Sequence, residues 1–117
     1  IVGGRGLGEI LAGRLGGDVE FFHAAPLAAA LPLLAAHQLV ISADGSLAHL
    51  AAHAGSTCVT LFGPNDAVWK RPLGKRHVVL KRHVECAPCL SPKCLMDGRC
   101  QSELEVAQVL AAIPASL

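Results

Sequence analysis

The sequence contains no tyrosine, one tryptophan and three phenylalanines in 117 residues. A platform for stacking nucleic-acid bases needs several aromatic faces, and this chain cannot supply them. Charge is scarce as well. Ten Lys and Arg against nine Asp and Glu leave a net charge of +1, which gives no electrostatic case for nucleic acid or an acidic membrane surface. No uncharged apolar run reaches the ~20 residues of a membrane helix. The longest, residues 24–40, is interrupted by Pro26, Pro32 and His37. The start, Ile1-Val2-Gly3-Gly4, has neither Met nor a basic segment, so it is not a signal peptide. It reads as the end of a strand entered mid-chain, and a further domain is expected upstream.

What is present suits one compact domain. Hydrophobic residues make up 52% of the chain, mostly Ala, Leu and Val, which is ample for a core. Five cysteines are an odd number, with Cys58 alone in an apolar run and the others between Cys86 and Cys100. A disulfide scaffold spreads its cysteines through a loop-rich chain. The expected location is therefore a reducing cytoplasm.

Short apolar runs alternate with helical stretches. Strands are expected at residues 1–2, 19–22, 39–42, 58–62 and 77–80. Helices are expected at 9–15, 26–36 and 46–54, the second broken or restarted by Pro32 and the third stopped by Gly55. A Cys-rich loop at 83–100 leads to a last helix within 102–113, for which Ser102 and Glu105 form a capping box. The alternation predicts an α/β fold: a Rossmann-like parallel sheet with helices on both faces, formed by residues 1–117 as one domain.

In such sheets ligands bind at the carboxyl ends of strands, so three loops carry the chemistry. The first, around Gly4, Gly6, Gly8 and Glu9, is glycine-rich but lacks a full dinucleotide fingerprint. A plain strand-to-helix turn explains it equally well. In the second, Asp44 ends a strand while Gly45 and Ser46 open a helix whose free N–H groups suit a diphosphate. Asp44 can accept hydrogen bonds from sugar hydroxyls, and His49 lies one turn along. The alternative is a helix cap at Asp44 or Ser46 and a packed core histidine. The third loop, Gly63-Pro64-Asn65-Asp66, offers close backbone approach and an amide, or is an ordinary turn.

Together these residues resemble a known family. Asp44-Gly45-Ser46-Leu47-Ala48-His49-Leu50-Ala51-Ala52, then Leu61-Phe62-Gly63-Pro64-Asn65-Asp66, then Trp69, Pro72 and Gly74, are similar to the heptosyltransferases of bacterial lipopolysaccharide synthesis, glycosyltransferase family 9. The resemblance implies the C-terminal half of a GT-B fold, which binds the nucleotide-sugar donor, usually ADP-heptose, and requires no cofactor. By motif, Asp44 would hold the heptose, Gly45 and Ser46 the diphosphate, with His49 in support. Gly63, Pro64 and Asn65 would line the pocket, and Gly4 and Glu9 would approach the donor. The acceptor, a lipid-linked saccharide, and the catalytic base would belong to the N-terminal domain, so no catalytic residue is expected in this chain. The family works beside the inner membrane, so peripheral membrane contact through Lys70, Arg71, Lys75, Arg76, Lys81 and Arg82 enters as a partner expectation. Two departures stand out. The family's Thr/Ser-Gly order is reversed at Gly45-Ser46, and Asn65 replaces the commoner Thr.

The spacing Cys86-x2-Cys89-x4-Cys94-x5-Cys100 contains one zinc half-site, but its second pair matches no common ribbon. A structural zinc or iron site, reduced packed thiols, and one or two disulfides all remain open. Two further functions stand beside the donor-binding one: a metal-binding interaction module around these cysteines, and a nucleotide-sugar hydrolase or epimerase on the same fold.

Overall fold

The structure, a computed structural model, describes residues 1–3 and 6–117. Along the chain run β1 (Val2–Gly3), α1 (Leu7–Leu15), β2 (Phe22–His23), a 3-10 turn (Leu27–Ala30), α2 (Leu31–Ala35), β3 (Leu39–Ala43) and α3 (Ser46–Ala54). Then follow β4 (Thr57–Phe62), α4 (Ala67–Lys70), β5 (Val78–Lys81), α5 (Arg99–Ser102) and α6 (Val106–Ala111). Every strand pairing is parallel, and helices connect the strands, so the α/β class read from the sequence holds. Pro32 falls in the first turn of α2, where its missing N–H costs nothing.

The central strand is β4. Thr57, Val59 and Thr60 are β-branched, a side-chain shape that suits a pleated ladder. β3 and β5 pair with it on either side. Cys58, Val59, Thr60 and Phe62 are fully buried. α3 lies close against β3 and β4 because the residues it buries, Ala48 and Ala51, are small. The Cys58 thiol donates to the Ala48 carbonyl at 3.5 Å, and Ser56 Oγ donates to Leu34 O at 2.5 Å, tying α2 to the turn after α3. At the far end of α3 the Arg76 guanidinium donates to Gly55 O at 2.6 Å. A cation there complements the negative end of the helix dipole.

The sheet is in two parts. β1 and β2 pair only with each other, and among the described residues no ladder joins them to β3. A cleft of about 550 Å³ separates the two parts, lined by Val2, Phe22, Leu34, Val40 and Ile41 among others. Val2 and Phe22 nonetheless pack on the core of Ala30, Leu34, Ala51 and Cys58.

Several expectations shift. The strand expected at residues 19–22 is instead Phe22–His23. The stretch after β4 contains a helical turn, α4, because Asp66 caps it: its Oδ1 accepts from Val68 N–H at 2.8 Å. The expected last helix is split. α5 ends at Ser102, and α6 starts at Val106 with Glu105 as N-cap and Gln108 as its reciprocal partner. The capping box therefore sits one turn beyond the Ser102–Glu105 pairing. Among the described residues no helix is long and apolar enough to cross a membrane.

His77 locks the start of β5 to β4. Its buried ring accepts the Cys58 backbone N–H at Nδ1, 3.2 Å away, so the proton of the neutral ring resides on Nε2. Burial, reinforced by the charge of Arg76, pushes the His77 pKa below its ordinary value. A protonated ring could not accept this bond, which agrees in direction. The unfolded chain therefore binds the proton more readily. The stability from His77 is complete above the ordinary value of about 6.5 and declines as pH falls from there toward the folded-state pKa. His77→Ala, which orphans a buried N–H, is expected to cost about 1–3 kcal/mol in urea unfolding at neutral pH. The variant's stability should fall less steeply than that of the parent below about pH 6.5.

Candidate functional site

The register of β3 on β4 sets Ala43 beside Leu61. The loops leaving these strands, residues 44–45 and 63–66, therefore emerge side by side at the carboxyl edge of the sheet. Asp44 N–H donates to Leu61 O at 3.0 Å, which fixes its backbone to the end of β4. Across the gap the Asn65 side-chain amide donates from Nδ2 to Asp44 Oδ2. Both residues are half-buried. The strand-end pair singled out from the sequence is thus brought into direct contact.

Behind Asp44 the chain turns into α3 through Gly45, at φ 148° and ψ −171°. Only glycine adopts this backbone conformation readily. Gly45 has no side chain to cap with, and among the described residues no side-chain hydrogen bond caps α3. The first N–H groups of α3 consequently lack a side-chain acceptor and carry the positive end of the helix dipole. Ser46 and His49 are exposed on this helix, so His49 is not a packed core residue. The capping alternative for Asp44 and Ser46 is likewise not what the structure displays.

The third loop is held from the other side. Pro64 O accepts the Cys89 N–H at 2.7 Å, and Gly63 is covered by Gln101, whose Cγ would lie 2.7 Å from a Cβ placed there. The Cys-rich segment thereby folds back on the site loops. Lys81, Arg82 and His83, at the end of β5, join Gly63, Asn65 and Asp66 around a small pocket of about 40 Å³. The sequence reading passed over this fourth strand end, although the same strand-end rule points to it.

The remaining candidates are dispersed. Glu9 is exposed in the first turn of α1 and makes no hydrogen bond to Asp44, His49 or residues 63–65. Gly4 lies outside the described residues. All five cysteines are free: Cys58 is buried, Cys86 and Cys94 exposed, Cys89 and Cys100 half-buried. Burial raises the Cys58 thiol pKa, as expected of an inert packed thiol. Among the described residues no three His, Cys, Asp or Glu side chains converge as a metal site, so Cys86, Cys89, Cys94 and Cys100 are not gathered into one ligand set here. In the same loop Arg99 holds the Asp97 carboxyl at about 2 through a side-chain hydrogen bond. Of the basic stretch, Arg71 donates to Gly74 O, Arg76 to Gly55 O and Arg82 to Glu103.

Comparisons with known proteins give matches in sequence. The model of glycosyltransferase family 9 (heptosyltransferase) matches residues 18–99. The chain is 34% identical over 86 residues to lipopolysaccharide heptosyltransferase 1 of Pseudomonas aeruginosa, a match covering 71% of this chain and 24% of that protein. The chain thus spans about a quarter of the length of this curated relative. No solved structure matches it.

The geometry separates the two residues whose order is reversed. A Cβ on Gly45 would meet nothing within 4 Å, so the cost of Gly45→Ala is backbone strain alone, about 1–3 kcal/mol. Ser46 makes no side-chain hydrogen bond, and Ser46→Ala should change stability by less than about 0.5 kcal/mol. Denaturant unfolding of the two variants checks the contrast.

Proposed function

The chain belongs to glycosyltransferase family 9, the heptosyltransferases, and from this premise we propose that it is the donor-binding part of such an enzyme, taking a nucleotide-sugar such as ADP-heptose. The observation that carries the reading is the juxtaposition of the Asp44 carboxylate, held by Asn65, with the uncapped N-terminus of α3. The helix end supplies N–H donors and a positive field for a diphosphate. As the glycosidic bond breaks, negative charge grows on that diphosphate, and a fixed positive end stabilises it as it leaves. The Asp44 carboxylate lies beside the same helix end, where it can accept sugar hydroxyls. Ser46 and His49 border the phosphate position on α3, and Gly63, Pro64 and Asn65 form the adjoining wall. Glu9, in the first turn of α1, approaches the donor from the side of the first strand end in this reading.

The transfer itself needs an acceptor site and a base. In our reading both lie in a companion N-terminal domain that receives a lipid-linked saccharide of the lipopolysaccharide core, at the inner face of the cytoplasmic membrane. Exposed Trp69 and Leu73, next to Lys70 and Lys75, support a peripheral contact there. Donor binding as proposed uses no cofactor.

Calorimetry with ADP, UDP and GDP tests the proposal. ADP is expected to bind with preference, and Asp44→Ala should lower affinity for ADP-heptose about tenfold, the loss of one or two hydrogen bonds to a charged group. Preference for UDP would move the reading to another sugar donor. No nucleotide affinity together with stoichiometric zinc or iron would establish the metal-binding module instead. Release of free sugar from the donor would favour a hydrolase. We expect the chain by itself to transfer no sugar, and measurable turnover would overturn the assignment of the base to another domain.

A further inference from the structure

Asp44 lies one residue ahead of the N-cap of a helix that has no side-chain cap. A flexible carboxylate at that point is drawn toward the free N–H groups of the helix by their positive field. A carboxylate settled there would occupy the position an anionic ligand needs and would repel that ligand. In the structure Oδ2 is instead engaged by Asn65, while Oδ1 has no hydrogen-bond partner among the described residues.

Asn65 is well placed to impose this arrangement. On one side Pro64 O is held by Cys89 N–H; on the other Asp66 is committed to capping α4. The loop that presents the amide is thereby fixed at both flanks, and Asp44 is fixed through its own N–H to Leu61 O. The orientation of the amide is dictated by chemistry. Turned over, it would set a carbonyl oxygen against a carboxylate with no proton between them.

We infer that Asn65 is a positioning residue: it holds the Asp44 carboxylate away from the N-terminus of α3 and leaves Oδ1 free to accept a hydroxyl of the donor's sugar. This rests on the donor-site reading above and adds a division of labour to it. The nucleotide diphosphate is bound by the helix end, the sugar by Asp44, and Asn65 governs the sugar contribution without touching the sugar.

The quantity to measure is the ratio of the affinities for ADP-heptose and ADP, taken by calorimetry on the 117-residue chain and its Asn65→Ala and Asn65→Thr variants. Asn65→Ala should weaken ADP, because the freed carboxylate settles on the helix end, and should weaken ADP-heptose about tenfold more, so that the ratio falls about tenfold; Asn65→Thr, which retains a donor, should restore part of it. A merely structural role would weaken both ligands together and leave the ratio in place. An unchanged ratio in Asn65→Ala overturns the inference. A parent chain that gains nothing from the sugar overturns the donor-site reading, and the pair is then decided by the NMR signals of the Asn65 side-chain amide. Their displacement in Asp44→Ala upholds the pairing, and their constancy rules it out.

Discussion

The parallel register that sets Ala43 beside Leu61 is the constraint on which the candidate site depends. A shift of one residue would turn Cys58, Thr60 and Phe62 to the opposite face, and α3 would lose the surface it packs on. Asp44 would also no longer lie level with the loop after Phe62. Because the ladder is buried along β4, the register is strongly specified, and the site inherits that accuracy from backbone hydrogen bonds. Polar groups on two loops that are 21 residues apart in sequence thus meet without any flexible element between them.

The Cys-rich segment acquires a structural meaning from the same viewpoint. Through Cys89 N–H it grips Pro64, and through Gln101 it covers Gly63. The exposed ion pair of Arg82 with Glu103, at 2.8 Å, contributes little by itself. It does link the end of β5 to the start of the break between α5 and α6. The segment is thus a brace behind the third loop, and a contact of backbone and Gln101, rather than of thiol chemistry, does the bracing.

Much of the fold was legible because its punctuation is strong. The start of α3 at Ser46, its stop before Gly55 and the β-branched run of β4 all fell where glycine and periodicity placed them. Asp44 was legible for the same reason, as the polar residue at a strand end. The Asn65–Asp44 bond was not, since no local rule links a side chain to a partner across two strands. The end of the chain contains two competing capping boxes, Ser102 with Glu105 and Glu105 with Gln108, and local sequence does not choose between them. The structure uses the second. Lys81 and Arg82 were read as part of a basic stretch and His83 as a neighbour of the cysteines, so their place at a strand end beside the third loop was missed.

Among the described residues no ladder spans the gap between β1 and β3, and the two hydrogen-bonded units meet where Val2 and Phe22 pack on the core. Breaking the small unit therefore breaks no backbone bond of the large one. Local opening of β1, α1 and β2 is a low-energy excursion, whereas opening at β4 requires the whole ladder to give way. The residues at the carboxyl edge of β3 and β4 sit on the three-stranded unit. The backbone hydrogen bonds that set their register do not run through the N-terminal strand pair.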